Sequence, residues 1–227
     1  MKKNVSAVYM AFGLLFTTCL IVSNIVAQKL FTIGHIEVSA ALLIFPVSYI
    51  VNDIIVEVWG YRKARFIIWY GFLMNFLTVV IFQLAIAVPA SANFEHQESF
   101  GIILGTTTIR IACASFFAFL CGSFLNAYVM SKMKVMQRGR GFSIRAIVST
   151  IAGEGVDSLI FFTLAFYAVI PTKSLIMLIV MQMTMKTFYE VIVLPFTNLL
   201  VKWIKKREQT DVYDTDVNYN PLKIGEI

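Results

Sequence analysis

Long apolar runs separated by short polar segments dominate the hydropathy pattern of the chain. A helix that crosses a membrane needs about 20 apolar residues, and six runs reach that length. They occupy residues 5–27, 38–59, 66–89, 106–130, 146–170 and 174–203. We therefore predict an all-α fold with six transmembrane helices. One membrane domain would span residues 1–204, and the polar residues 205–227 would form a cytoplasmic tail with a disordered end.

The composition agrees with a membrane protein. Of the 227 residues, 59% are hydrophobic and 14% are charged, and a soluble domain could not keep so much apolar surface away from water. Cys19, Cys113 and Cys121 all fall inside apolar runs. We expect them to be small buried hydrophobic side chains, with no disulfide framework and no metal site. The sequence predicts no cofactor.

The positive charges predict the orientation of the helices. They cluster beside alternate ends of the runs, at Lys2 and Lys3; Arg62, Lys63 and Arg65; Lys132, Lys134, Arg138, Arg140 and Arg145; and Lys202, Lys205, Lys206 and Arg207. The segment "SANFEHQESFG" between the third and fourth runs has no lysine or arginine. Because cytoplasmic loops are enriched in these cations, we predict that both termini and the loops at 61–65 and 131–145 are cytoplasmic. A short helix at the outer surface is expected within 92–104.

The same clusters explain the formal net charge of +6. Cations placed next to apolar runs suit the anionic surface of a lipid bilayer. The expected partners are therefore the bilayer and a small-molecule substrate, and no nucleic acid. The sequence leaves the oligomeric state open.

Three of the predicted helices carry ionisable residues at membrane depth. The pairs are Asp53 and Glu57, Glu154 and Asp157, and Lys186 and Glu190. Spacings of three or four residues put the members of each pair on one helix face. Counted at about 1.5 Å per residue, Asp53, Asp157 and Lys186 lie near the middle of the bilayer, and Glu57 and Glu154 lie closer to the cytoplasm. A charge at the bilayer centre costs about 2.5–3.5 kcal/mol, so these residues are expected to face the interior or a polar cavity.

Two interpretations of these charges stay open from the residues alone. Lys186 could pair with Asp53 or Asp157 and hold the helices together as an internal network. The excess of five carboxylates over one central lysine favours a substrate or proton pathway, because the other acids are left protonated or available to a ligand. The predicted substrate-binding residues are Asp53, Asp157, Lys186, Glu190, Asn24 and Asn75. The predicted gating or proton-linked residues are Glu57 and Glu154.

The helix order suggests an internal symmetry. Helices one to three and four to six would form two halves, and an odd number of helices per half inverts the second half relative to the first. The middle helix of each half carries an acidic pair. The sequence therefore suggests two inverted three-helix halves, although no residue-level repeat is visible.

Several stretches resemble one family of membrane transporters. They are "SNIVAQKLFTIG", "FPVSYIVNDIIVEVWGYRKAR", "GEGVDSLIFFTLAF", "KTFYEVIVLPFT" and "DVYDTDVNYNP", which together cover nearly the whole chain. They resemble the queuosine precursor transporters, which were earlier described as vitamin uptake transporters. The matching charged and amide positions are Asn24, Lys29, Asp53, Glu57, Glu154, Asp157, Lys186 and Glu190. The "GEG" before Asp157 is less typical of the family than Asp157 itself.

The resemblance implies a six-span protein of the bacterial or archaeal inner membrane. It also implies import of 7-deazaguanines such as 7-cyano-7-deazaguanine, a precursor of a modified tRNA base. A carboxylate could accept hydrogen bonds from both N1–H and the exocyclic amine of such a base. Lys186 or an amide could donate to its carbonyl or nitrile. Asp53 is the expected substrate carboxylate, and Glu57 is expected to pair with basic residues at an inner gate or to pass a proton.

Two other functional classes share some features with this sequence. An intramembrane aspartyl protease would use two aspartates such as Asp53 and Asp157, but "GEGVD" departs from the Gly-x-Gly-Asp pattern expected there, and His-Glu-x-x-His is absent. An enzyme is therefore not expected. A substrate-binding subunit of an ATP-driven vitamin or nucleobase importer fits the size, but the chain has no phosphate-binding loop of its own. The sequence leaves the source of energy open.

Overall fold

The computed structural model describes residues 6–27, 29–33, 36–105, 109–169 and 171–223. Lys2 and Lys3, the first of the predicted cation clusters, lie outside these ranges. The elements are α1 (Ala7–Val26), β1 (Leu30–Ile33), β2 (Ile36–Ser39), a 3-10 helix (Ala40–Leu43), α2 (Phe45–Trp59), α3 (Tyr61–Ala87), α4 (Gln97–Leu104), α5 (Ile109–Met136), α6 (Phe142–Phe166) and α7 (Thr172–Glu208).

The all-α prediction is confirmed. Among the described residues, six helical segments are long and apolar enough to cross a membrane, and they match the six predicted runs. The short helix expected within 92–104 is α4. The chain is therefore a multi-pass membrane protein. The inverted symmetry of the two halves stays a prediction.

Some boundaries differ from the sequence prediction. The second run does not begin as a helix at residue 38, because β1 and β2 form an antiparallel hairpin with Leu30 opposite Ser39. The last helix runs to Glu208 and so continues beyond the predicted run 174–203. An apolar run ends where polar residues begin, whereas a helix can continue beyond the membrane as an amphipathic segment.

Helix α2 lies at the centre of the bundle and packs against the other five long helices. It buries the polar residues Asn52, Asp53 and Glu57 along with its apolar side chains. Close approach of α5 and α6 depends on Gly122 and Gly153, since a Cβ on either would lie 2.8 Å from the other's carbonyl oxygen. Small residues at such crossings are typical of membrane helices. This packing brings the ionisable faces of α2, α6 and α7 into one interior.

The predicted burial of the cysteines is wrong for two of the three. Cys19 is buried, but Cys113 and Cys121 are exposed on α5. They are eight residues apart and so share an outward side of that helix. All three are free thiols, so no disulfide joins them.

The prediction of a disordered tail is also wrong for the part that is described. Residues 211–221 lie across one end of the bundle. At this end α2 connects to α3, α5 connects to α6, and α7 terminates. We call this end of the bundle the basic end. The Asp214 carboxylate accepts hydrogen bonds from the Tyr61 amide at 2.8 Å and the Ser131 hydroxyl at 2.6 Å. It thus satisfies a free amide at the start of α3, where a negative charge is also favoured by the helix dipole.

Backbone carbonyls of the tail provide further partners. Arg65 donates to the carbonyl oxygens of Asn218 at 3.0 Å and Asn220 at 2.9 Å. The Trp69 indole donates to the carbonyl oxygen of Pro221 at 2.7 Å. The polar tail is ordered because the cations and amides of the basic end bind it, which its own composition does not reveal.

Candidate functional site

A cavity of about 430 Å³ lies between α1, the 3-10 helix, α2, α5, α6 and α7, in the half of the bundle away from the basic end. Its polar lining comprises Ser23, Asn24, Ser39, Ser115, Asp157, Ser158, Gln182 and Lys186. Its aromatic lining comprises Phe45, Phe119, Phe161, Phe162 and Phe166. Pockets for small molecules typically combine such apolar walls with a few polar groups.

An ion pair between α6 and α7 forms one wall of the cavity. Lys186 Nζ lies 3.0 Å from Asp157 Oδ2, and the two side chains are 11% and 10% exposed. The same ammonium lies 4.5 Å from the centroid of the Phe45 ring, within range of a cation–π contact. The expectation that Lys186 pairs with an acid is confirmed, and of the two candidates its partner is Asp157, not Asp53. We call Asp157 and Lys186 the cavity pair.

The two predicted asparagines have different positions. Asn24 lines the cavity and donates its side-chain amide to Asn75 Oδ1 at 2.7 Å. Asn75 is buried behind it and does not line the cavity. Asn75 can therefore orient Asn24, whereas Asn24 can contact a ligand.

The remaining carboxylates at membrane depth lie outside the cavity lining. Asp53 is 1% exposed, and the Ser149 hydroxyl lies 3.3 Å from both of its oxygens. Glu154 and Glu190 are 0% and 3% exposed. The structure thus places Asn24, Asp157 and Lys186 at the cavity. Three other predicted substrate-binding residues are buried behind the cavity wall: Asp53, Glu190 and Asn75.

Glu57 is held by cations at the basic end. Its carboxylate accepts two hydrogen bonds from Arg145, at 2.9 and 2.6 Å, and one from Lys205. Arg145 is fully buried and Glu57 is 1% exposed. A bidentate arginine pair of this kind is geometrically specific. We call Glu57, Arg145 and Lys205 the basic lock.

The tail extends the basic lock. Asp211 lies 2.6 Å from Lys134 Nζ and 2.8 Å from Lys205 Nζ. Burial raises the pKa of Asp211, but hydrogen bonds and attraction from Lys134 and Lys205 outweigh it, and the net pKa lies below the ordinary value of 3.8. The Lys134 ammonium also donates to the carbonyl oxygen of Glu57. The basic lock, together with Lys134 and Asp211, therefore joins α2, α5, α6, α7 and the tail at the basic end.

Sequence reasoning missed several residues of this interior. Phe45 and Tyr49 precede Asp53 and Glu57 at intervals of four residues, so one side of α2 runs from the cavity to the basic lock. The four-residue spacing is enough to predict that Tyr49 lies on the same side of α2 as Asp53 and Glu57. By its position in the sequence Arg145 is only a loop cation, and nothing local in the sequence indicates that it pairs with Glu57, 88 residues away.

A six-span bundle whose interior holds a charged, aromatic-walled cavity is a membrane protein with the kind of cavity in which small molecules bind. Within the described residues, no three metal-ligating side chains converge on one point. The chain belongs to the family described as "Putative vitamin uptake transporter", whose model matches residues 39–200. The family resemblance noted from the sequence is therefore confirmed.

Three curated relatives carry consistent names. A "Probable queuosine precursor transporter" of Bacillus subtilis is 24% identical over 190 residues, covering 83% of this chain and 82% of the relative. The "Queuosine precursor transporter" of Escherichia coli is 25% identical over 145 residues, covering 64% and 62%. A "Probable queuosine precursor transporter" of Haemophilus influenzae is 25% identical over 125 residues, covering 55% of this chain and only half (50%) of the relative. No solved structure matches the chain.

Proposed function

We propose that this protein imports a queuosine precursor, a 7-deazaguanine base such as 7-cyano-7-deazaguanine, across the bacterial cytoplasmic membrane. The names of the relatives support the class of substrate. The observation that carries the proposal is the cavity pair, a carboxylate and an ammonium beside aromatic rings in one small cavity.

The chemistry of the cavity matches a flat, polar and nearly neutral base. Phenyl rings such as Phe45 and Phe161 offer faces on which a planar ring can stack. The Asp157 carboxylate can accept hydrogen bonds from N1–H and the exocyclic amine, because Lys186 engages only its Oδ2 among the described contacts. Lys186, Asn24 and Gln182 can donate to the carbonyl or nitrile. A ligand without these groups would leave buried polar atoms of the cavity without hydrogen bonds. Each such atom would cost about 1–3 kcal/mol of binding free energy.

Asp157 replaces Asp53 as the first substrate carboxylate in this proposal. Asp157 belongs to the cavity lining, whereas Asp53 is buried behind it. Asp53 would meet the substrate only after the helices move.

The orientation of the helices completes the proposed mechanism. The cation distribution predicts that the basic end faces the cytoplasm, so the cavity would lie in the outer half of the bundle. In this conformation the basic lock closes the inner side. Import would then require Glu57 to separate from Arg145 and Lys205, so that the base can leave toward the cytoplasm.

Uptake of labelled 7-cyano-7-deazaguanine tests the proposal, in a bacterial strain that lacks its own transporter and with uptake normalised to membrane-inserted protein. Asp157→Asn should weaken substrate binding about ten- to a hundredfold, since a hydrogen bond to a charged group contributes about 1.5–3 kcal/mol. The matched control is Asp216→Asn in the tail, which removes an exposed carboxylate. Guanine-like compounds should compete with the labelled base, and unrelated vitamins should not.

A mass spectrum of ligands that co-purify with the protein gives an independent check. Wild-type protein that neither binds nor transports 7-deazaguanines would refute the proposed substrate. Uptake by the purified chain in proteoliposomes without ATP is expected for a carrier. Uptake that appears only with an added ATPase would instead identify the chain as a subunit of an ATP-driven importer.

A further inference from the structure

Three carboxyl groups lie between the cavity and the basic lock and take no part in the proposed recognition of the base. Asp53, Glu154 and Glu190 are all at most 3% exposed. The nearby cations are engaged elsewhere, in the cavity pair and in the basic lock. In the described part of the chain, none of the three carboxyls forms a salt bridge. Lys186 attracts Glu154 electrostatically, but it forms its ion pair with Asp157, so one shared cation cannot balance three further carboxylates.

Asp53 on α2 and Glu190 on α7 are both buried, and they are close enough to interact electrostatically. Two ionised carboxylates offer only acceptors, and they repel each other at this separation. One proton between them removes the repulsion and supplies the missing donor. One proton bound by the pair therefore accounts for two interacting carboxyls that are buried without an ion pair.

A second observation also points to a bound proton. Both oxygens of Glu154 are buried without a hydrogen-bond partner, and so are Oε2 of Glu190 and the Tyr49 hydroxyl oxygen. An ionised carboxylate buried in this way is costly, whereas a neutral carboxyl is far less so. Glu154 interacts electrostatically with Glu190 on one side and with the cavity pair on the other. The position of Glu154 therefore suits a group that passes a proton between the cavity pair and Glu190.

The surroundings favour a proton over a metal ion. No group of three metal-ligating side chains converges among the described residues. Asp53 faces Glu190 on α7, the neutral Asn126 on α5 and the neutral Ser149 on α6. Glu190 also interacts with Glu154 on α6. Tyr49 on α2 interacts instead with Glu154 and with Asp157 of the cavity pair.

We propose that Asp53 and Glu190 bind one shared proton, which reaches them through Glu154 from the cavity side and leaves toward the basic end when the basic lock opens. Import of one neutral base would thereby be coupled to the inward movement of one proton. This inference rests on the proposed function, and it adds the source of energy.

The test uses purified full-length protein in proteoliposomes, with the membrane potential clamped at zero. A pH gradient of one unit, acidic outside, should drive about tenfold accumulation of labelled 7-cyano-7-deazaguanine if one proton is coupled. Glu190→Gln should abolish gradient-driven accumulation but still exchange labelled for unlabelled base, because exchange needs no release of the proton. The matched control is Glu98→Gln on α4, an exposed glutamate that should behave as wild type.

Infrared spectroscopy provides a readout that does not depend on transport. Wild-type protein at neutral pH should show the carbonyl stretch of protonated carboxyl groups, and Glu190→Gln should weaken this band. Absence of this band from wild-type protein would refute the proposal even if the variant failed to fold.

The two proposals fail in different ways. Wild-type protein that exchanges the base but does not respond to the pH gradient would refute proton coupling and leave the proposed function intact. Accumulation driven by a sodium gradient instead would also refute the shared proton. Wild-type protein that neither binds nor exchanges the base would refute the proposed function itself.

Discussion

Removing the charge of Lys186 should destabilise the protein through the acid that it leaves behind. In Lys186→Met, the chain keeps a side chain of similar length but loses the 3.0 Å contact with Asp157. Both partners are about nine-tenths buried, with side-chain exposures of 11% and 10%. Loss of one partner of a buried ion pair lowers the free energy of unfolding by about 3–5 kcal/mol. Protonation of Asp157 can relieve part of this cost, so we expect a loss near the lower end of that range.

The double variant Lys186→Met/Asp157→Asn separates this explanation from a general packing defect. With both charges removed, no uncompensated ion remains, so most of the lost free energy of unfolding should return. Binding of the base should not return, because both recognition groups are gone. The stability comparison requires unfolding in mixed detergent micelles, and binding can be followed with the labelled base.

Two results would contradict this reasoning. One is a single variant as stable as wild type with unchanged binding, which would show that the ion pair contributes to neither. The other is a double variant no more stable than the single variant, which would trace the loss to packing around Phe45 rather than to a buried charge.

Three further predictions concern orientation, the basic lock and the tail. With the native cysteines replaced, Ser91→Cys should react with an impermeant maleimide added outside intact cells; reaction only after permeabilisation would reverse the topology. Glu57→Gln leaves Arg145 buried without its carboxylate and should lower the free energy of unfolding by about 3–5 kcal/mol; an unchanged value would contradict a structural lock. Because the pKa of Asp211 is lowered in the folded state, its contribution to tail docking should be complete above pH 3.8 and lost as pH falls further. Limited proteolysis should detect this acid release, and Asp211→Asn should remove the pH dependence.

The sequence was sufficient for the overall architecture because hydropathy and helix length are local properties. Six apolar runs and their flanking cations required no knowledge of which helices touch. The same local information identified Asp157 and Lys186, since a charge inside an apolar helix must face the interior. It could not choose between Asp53 and Asp157 as the partner of Lys186, because that depends on how α2, α6 and α7 pack.

The incorrect predictions arise in the same way, from contacts between segments that are far apart in the sequence. Arg145 and Lys205 are surface cations by sequence but partners of Glu57 in the folded protein. The tail is polar by composition, yet Asp214 finds its partners at Tyr61 and Ser131, about 150 and 80 residues away. Contacts between such distant segments leave no periodic pattern in the sequence.

The arrangement along α2 connects recognition, coupling and gating in one element. Phe45 lies at the cavity, Asp53 at the shared proton and Glu57 at the basic lock. Phe45 is about two helical turns from Asp53, and Asp53 is about one turn from Glu57. A movement of α2 that breaks the Glu57–Arg145 contact would also change the distance between Asp53 and Glu190, because a helix moves nearly as a rigid body. Opening of the inner side and release of the proton would then be one event. A closed lock would conversely keep the proton bound while the cavity accepts a base from the other side.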